Sequence, residues 1–159
     1  MTLKEYNTCV DLYADGLYRF VLKSIRDKET SQDIIQDTFL KLWQLIDEVE
    51  FKTAKPFLYK IAYNSMIDTI RRTKTNVSDE VDETYETKNF NWELKDIIDI
   101  AVNNLSDIQR HVILLRDYEG YSYKEISEIT KTSEAQVKIN IFRARQKLRE
   151  VIGKLENVI

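Results

Sequence analysis

Three glycines and one proline are all that this chain of 159 residues offers for tight turns. Strand-rich folds draw heavily on those two residues, so long helices are expected instead. The one cysteine, Cys9, cannot form an intramolecular disulfide, and its apolar neighbours suit a small core residue. The one histidine, His111, stands in IQRHVILL, a stretch that reads as a packed helix. The acidic residues show no metal-ligand spacing, and no glycine-rich phosphate loop occurs. No metal site, no cofactor and no catalytic group is therefore implied, and an enzyme is not expected. No apolar run approaches the roughly 18 residues of a membrane span. The start, MTLKEYNTCVDLY, lacks a basic region followed by an apolar block, so it does not read as a signal peptide. The expectation is an all-α, cytoplasmic protein with no membrane insertion of its own.

What is present is unevenly charged. The net charge of −3 divides into +1 over residues 1–75, −6 over 76–104 and +2 over 105–159. Within Ser133–Lys154 six basic side chains face only two acidic ones. An acidic chain with a local basic stretch has its positive charge placed for a purpose, and nucleic acid is one partner that such a stretch fits.

Apolar periodicity marks the helices. Leu3, Tyr6, Val10, Tyr13, Leu17, Phe20, Val21 and Ile25 form one stripe over residues 3–26. SQDIIQDTFLKLWQLIDEVE reads as a second helix, opened by Thr30 or Ser31 with Asp33 in its first turn. AKPFLYKIAYNSMIDTIRRTK reads as a third, with Pro56 in the first turn, where no backbone donor is needed. Here Phe57, Leu58, Ile61, Ala62, Met66 and Ile70 face inward, while Lys60, Tyr63, Asn64, Arg71 and Arg72 face out. Residues 74–91 lose the periodicity and are polar and acidic, which reads as a linker. Four more helices follow, over 92–104, 106–118, 122–130 and 133–153. The organisation expected is a first helical domain over 1–75, a linker over 76–91 and a second helical domain over 92–159.

The last two helices carry the sharpest signal. Ser122-x-x-Glu125 and Ser133-x-x-Gln136 are both capping-box patterns, and Tyr121 with Ile126 occupies the hydrophobic-staple positions. Two helix starts 11 residues apart leave a short helix and a tight turn, the spacing of a helix-turn-helix. Val137, Ile141, Ala144 and Leu148 form the buried stripe of the second helix. Polar Glu134, Gln136, Lys138 and Asn140 come early, and Arg143, Arg145, Lys147 and Arg149 follow. A helix that enters the major groove needs polar groups near its N-terminus for base edges and cations farther along for phosphates. Ile139, apolar on the outer face, suits a thymine methyl. Cations near a helix C-terminus also complement its dipole, but the doubled cap and preceding short helix favour DNA.

Two other faces are less specific. Tyr59, Lys60, Tyr63, Asn64, Arg71 and Arg72 mix rings, an amide and cations, as single-stranded DNA requires for stacking and phosphate contact; a tyrosine-rich core helix with a basic last turn has the same composition. Gln36, Asp37 and Trp43 suggest an interaction face, although a half-buried Trp43 is equally compatible.

Taken together and in this order, SQDIIQDTFLKLWQ, FLYKIAYNSMIDTIRR and the stretch from LSDIQRHVILLRDYEG to RARQKLRE resemble regions 2.2, 2.3–2.4 and 4 of the bacterial extracytoplasmic-function sigma factors, in the sigma-70 family. The resemblance covers nearly the whole chain except the linker. It implies a transcription initiation subunit that binds core RNA polymerase, chiefly the clamp helices of the largest subunit, through Asp33, Gln36, Asp37 and Trp43. It implies recognition of the melted −10 element by Phe51, Lys52, Lys55, Lys60, Tyr63, Asn64, Arg71 and Arg72, with an extruded base held by the loop before Pro56 and by Asn64. It implies reading of the −35 element by Ser133, Glu134, Gln136, Lys138, Ile139, Phe142 and Arg143. Because little follows region 4, control by a separate anti-sigma factor is expected. The chain departs from the pattern at Phe57, where Trp is usual, and at Tyr63, where Arg is frequent. Lys131 and Thr132 fill a turn that commonly holds Gly, and Ser127 replaces an Ala, which predicts looser helix packing. The competing readings are a stand-alone helix-turn-helix regulator that binds duplex DNA without polymerase, and a helical adaptor whose basic helix binds no DNA.

Overall fold

The computed structural model describes residues 1–76 and 93–158, and every described element is helical. The acidic stretch beyond Asn76, read above as a linker, lies outside the described residues.

Helix α1 (Leu3–Ile25) opens on a Thr2–Glu5 capping box and stops at Arg26, whose left-handed backbone (φ 61°) turns the chain. It buries Cys9, Leu17, Phe20 and Val21, so Cys9 is a core residue. Helix α2 (Lys28–Gln44) begins earlier than expected and ends earlier too. Its cap is Asp27, which accepts from the Glu29 and Thr30 amides at 3.1 and 3.3 Å. Thr30 and Ser31 are inside the helix, and the buried Ser31 hydroxyl donates to the Asp27 carbonyl. Three good capping side chains lie within five residues here, and the left-handed turn at Arg26 selects the first. A short 3-10 turn (Phe51–Thr53) leads into α3 (Ala54–Asn76), with Pro56 in its first turn; the helix runs on through residues 74–76, where a linker was expected to begin. Helices α1, α2 and α3 pack around Leu17, Phe20, Leu42, Leu58 and Met66, all nearly solvent-free.

Helix α4 (Leu94–Asn103) packs on the far end of the last helix through a small core of Ile97, Ala101, Val151 and Leu155. Helix α5 (Asp107–Ile113) opens on a Ser106–Gln109 capping box and widens into a π-helical turn over Leu114–Tyr118. Gly120, at φ 76°, makes the next corner, a conformation that suits glycine. Helix α6 (Tyr123–Thr130) and helix α7 (Glu134–Val158) complete the chain. Both expected capping boxes form, Ser122 with Glu125 and Ser133 with Gln136, at 3.1–3.2 Å. Each is worth about 1 kcal/mol of helix stability. Tyr121 and Ile126 are both buried, as a staple requires.

The two bundles share one continuous apolar core, in which Leu17, Leu58 and Tyr59 join Val112, Leu115 and Tyr121. A buried guanidinium crosses between them. Arg110 donates to the Val102, Asn103 and Leu105 carbonyls beside its own helix and, at 3.3 Å, to the Ser24 carbonyl of α1. Arg110 thus ties the C-terminal ends of α1 and α4 together through their carbonyls.

Candidate nucleic-acid and polymerase interfaces

The best-defined surface is the outer face of α7. Val137, Ile141 and Ala144 are sealed against Ile126 and Ile129 of α6, which fixes the rotation of the helix and turns the opposite side to solvent. Ser133, Glu134, Gln136, Lys138, Ile139, Phe142 and Arg143 are all exposed on it. Ile139 and Phe142, one turn apart, are 48% and 66% exposed, an apolar pair with no cover. Among the described residues Arg143 makes no ion pair. Lys138 lies over the Tyr123 ring at 5.8 Å, with Arg116 on the same ring at 4.6 Å.

The turn before α7 is built without glycine. Lys131 takes the left-handed conformation (φ 58°) and donates its amide to the Ser127 carbonyl. Ser127, where Ala is usual, donates its hydroxyl to the Thr132 carbonyl and closes the turn. The Thr130 and Thr132 hydroxyls, 2.8 Å apart, add a second tie.

On α2, Asp33, Gln36, Asp37 and Trp43 are exposed along one side of the helix. Trp43 is 46% exposed, its ring in edge contact with Tyr6 at 5.2 Å. The Tyr6 hydroxyl donates to the Phe39 carbonyl, so the ring that supports Trp43 is itself fixed. Leu40, 52% exposed, fills the gap between Asp37 and Trp43. Leu40 was missing from the residues the sequence pointed to; its place in the 33–36–40–43 spacing was the available signal.

The third surface is divided. Lys52, Lys60, Asn64, Arg71 and Arg72 are exposed, and Phe51 and Lys55 are half-buried. Lys60, Asn64 and Arg71 follow one another along a single side of α3. Tyr63 does not face out: it is 5% exposed, with its ring edge-on to His111 of α5 at 5.3 Å. Burial, reinforced by the nearby Asp107 charge, pushes its phenol up to about 12. Tyr59 is likewise buried against Tyr121 at 5.0 Å. The second bundle covers the side of α3 that α1 and α2 leave open, which periodicity along α3 alone does not reveal. Lys55 is drawn the same way, over the Tyr121 ring at 5.0 Å. Asn64 and Arg71, with Tyr63, Ile67, Asp68, Thr130 and Lys131, line a cleft of about 390 Å³ between α3 and the turn before α7.

Among the described residues no group of three or more metal-ligating side chains is brought together. Nor is any described helix long and apolar enough to cross a membrane.

Comparison with known proteins agrees with this layout. Residues 9–75, spanning most of α1 through α3, match sigma-70 region 2, and residues 95–148, from α4 into α7, match sigma-70 region 4. The chain is 30% identical to the ECF RNA polymerase sigma factor SigM of Bacillus subtilis, over 97% of both chains. It is 29% identical to SigW of the same organism, over 92% of this chain and 88% of that one. Among solved structures it resembles the sigma factor RpoE of Bartonella quintana, determined with the anti-sigma factor NepR, at a TM-score of 0.77 and 25% identity, covering 95% of this chain and 98% of that one. Likeness at this level runs through both bundles and not through the helix-turn-helix alone, so the chain belongs to the sigma-70 family and is an RNA polymerase sigma factor of the extracytoplasmic-function (ECF) group.

Proposed function

We propose that this sigma factor divides its work between a first domain (residues 1–75) and a second (92–159) joined by the acidic segment 76–91. The α2 stripe of Asp33, Gln36, Asp37 and Trp43, completed by Leu40, docks on core RNA polymerase, on the clamp helices of the largest subunit. A half-exposed Trp on a fixed aromatic support, ringed by polar groups, has the composition of a binding anchor. The α3 side carrying Lys60, Asn64, Arg71 and Arg72, with Phe51, Lys52, Lys55 and Tyr63 near it, holds the melted −10 strand, cations on phosphates and rings on bases. The α7 face carrying Ser133, Glu134, Gln136, Lys138, Ile139, Phe142 and Arg143 reads the −35 duplex. An anti-sigma factor is the expected regulator, as for the RpoE chain solved with NepR.

The observation that carries this reading is the outward face of α7: an exposed row of polar, cationic and apolar side chains over a sealed apolar stripe, behind two formed capping boxes. A stand-alone regulator would have the same α7 but no use for an exposed α2 stripe. The test is transcription from a cognate promoter after mixing with core polymerase. Start-site-specific transcripts are expected, lost on Asp37→Arg because polymerase association is lost; specific duplex binding and regulation unchanged by Asp37→Arg would overturn it.

A further inference from the structure

The first bundle carries a receptor for a carboxylate, and the second bundle of the same chain fills it. Glu119, just past the π-helical turn, projects its side chain onto α1 and α3 and is only 6% exposed. Arg19 grips it through Nε and Nη2 at 3.1–3.2 Å. The Tyr59 hydroxyl donates to it at 3.0 Å. Gly16 makes the room: a Cβ there would stand 3.0 Å from the Tyr59 hydroxyl and 3.3 Å from a Glu119 oxygen. Glycine inside a helix costs about 1 kcal/mol against alanine, so this position gives up helix stability where the carboxylate seats. Neighbouring contacts point the same way. Lys23 pairs with Asp99 at 3.2 Å and lies over the Tyr118 ring, and Lys74 pairs with Asp107.

Closure has a consequence for α3. Seating Glu119 brings Tyr121 onto Tyr59 and under Lys55, His111 onto Tyr63, and Thr130 with Lys131 across from Asn64 and Arg71. A strand threaded along α3 to stack on Tyr63 and reach Lys55 would have to pass through the second bundle. We propose that the Gly16–Arg19–Tyr59 receptor is a docking surface for Glu119 of the same chain, and that its occupation excludes single-stranded DNA from α3 until the two bundles part. All the contacts lie within the chain, so the closed form needs no second protein. The exclusion rests on the −10 reading of α3 given above; the docking does not.

The test uses the full chain and charge reversal, with small-angle scattering for compactness and fluorescence anisotropy for affinity toward a single-stranded −10 oligonucleotide. Neither Glu119 nor Arg19 belongs to the proposed DNA or polymerase surfaces. Glu119→Arg opposes two cations and is expected to expand the protein and tighten oligonucleotide binding by about tenfold, the weight of one charge-assisted hydrogen bond. Arg19→Glu should do the same, and the double variant should return both readings to wild type. Glu119→Gln, which keeps the shape, should lie between, and circular dichroism checks that helices persist. Wild-type compactness in both single reversals, or expansion that the double variant fails to reverse, overturns the docking. Reversible expansion with no gain in oligonucleotide affinity overturns the exclusion. In that case, promoter-base preference of the Asn64→Ala holoenzyme reports separately whether the −10 reading itself has failed.

Discussion

His111 should make this protein lose stability as the pH falls from about 6.5 toward 4. Its side chain is 1% exposed, and neither ring nitrogen has a hydrogen-bond partner. Burial outweighs the attraction of Asp107, and with Arg110 and Lys74 adding positive charge nearby it lowers the imidazole to about 4. Tyr63 packs edge-on against the ring from α3. The ordinary value for an unfolded chain is about 6.5. The folded value is thus depressed, so the unfolded protein binds this proton first: the stability is fully present above about pH 6.5 and is lost as the pH falls toward 4. The loss relative to about pH 7.5 works out at about 1 kcal/mol at pH 5.5 and on the order of 3 kcal/mol by pH 4. Asp107 also sits below its usual value, since Lys74 overcomes the opposing effect of burial. Its contribution is present above the ordinary carboxylate value of about 3.9 and is lost as the pH falls below it, later than most of the His111 effect. His111→Phe keeps the ring against Tyr63 and removes both unpaired nitrogens, so it should be neutral or stabilising near pH 7.5. Urea unfolding of both proteins across this range, at constant ionic strength, gives the comparison. The gap between wild type and His111→Phe should widen by the amounts above as pH falls; a constant gap would refute the argument.

Other outcomes follow from the site geometry. Arg143→Ala should weaken holoenzyme binding to the −35 element by about 1–3 kcal/mol if the guanidinium reads a base; a competition titration against altered −35 sequences should show relaxed preference at one position. Asn64→Ala should change base preference in the −10 element while leaving −35 duplex binding intact, measured by run-off transcription from promoter variants. Lys131→Gly should stabilise the protein, because a left-handed conformation costs a residue with a Cβ about 1–2 kcal/mol, partly offset by the freer unfolded chain; a thermal melt that drops instead would contradict that account of the turn.

Local spacing carried most of what the sequence could say. The buried stripe Val137, Ile141 and Ala144, the paired capping boxes and the positions of Ile139 and Arg143 all depend on residues within one or two helical turns of each other, and each was legible. The Thr2–Glu5 and Ser106–Gln109 boxes carry the same signature and were equally readable. The start of α2 was not, because Asp27, Thr30 and Ser31 are all able caps and the choice depends on Arg26 turning left-handed. Tyr63 was misplaced for a different reason. A helix with one buried side has a clear period, but α3 is buried on two sides, against α1 and α2 on one and, on the other, α6 and His111 of α5. Its second partner, His111, is 48 residues away, and nothing in the spacing of α3 announces it. The roles of Glu119 and Gly16 were illegible on the same grounds: their meaning is a contact across about a hundred residues, as Arg19 with Glu119 shows.

The acidic total and the basic final helix are reconciled by where each charge is held. Arg145 donates to Asp117 of the π-helical turn at 2.9 Å, and Lys147 and Lys154 both lie within ion-pair distance of Glu150. These three cations fasten α7 to its own bundle or neutralise a neighbour, each contributing little at an exposed site. Lys138 and Arg143, on the face that Val137 and Ile141 turn outward, have no carboxylate partner among the described residues. Six basic residues in the stretch overstate the charge available to phosphate; on the −35 reading proposed above, what would orient the helix toward DNA is that the cations without a carboxylate partner share one face with the apolar pair Ile139 and Phe142. A phosphate backbone is attracted to the cations from a distance of about a Debye length. On the same proposed reading, only in the groove would the apolar side chains meet anything that distinguishes one base pair from another.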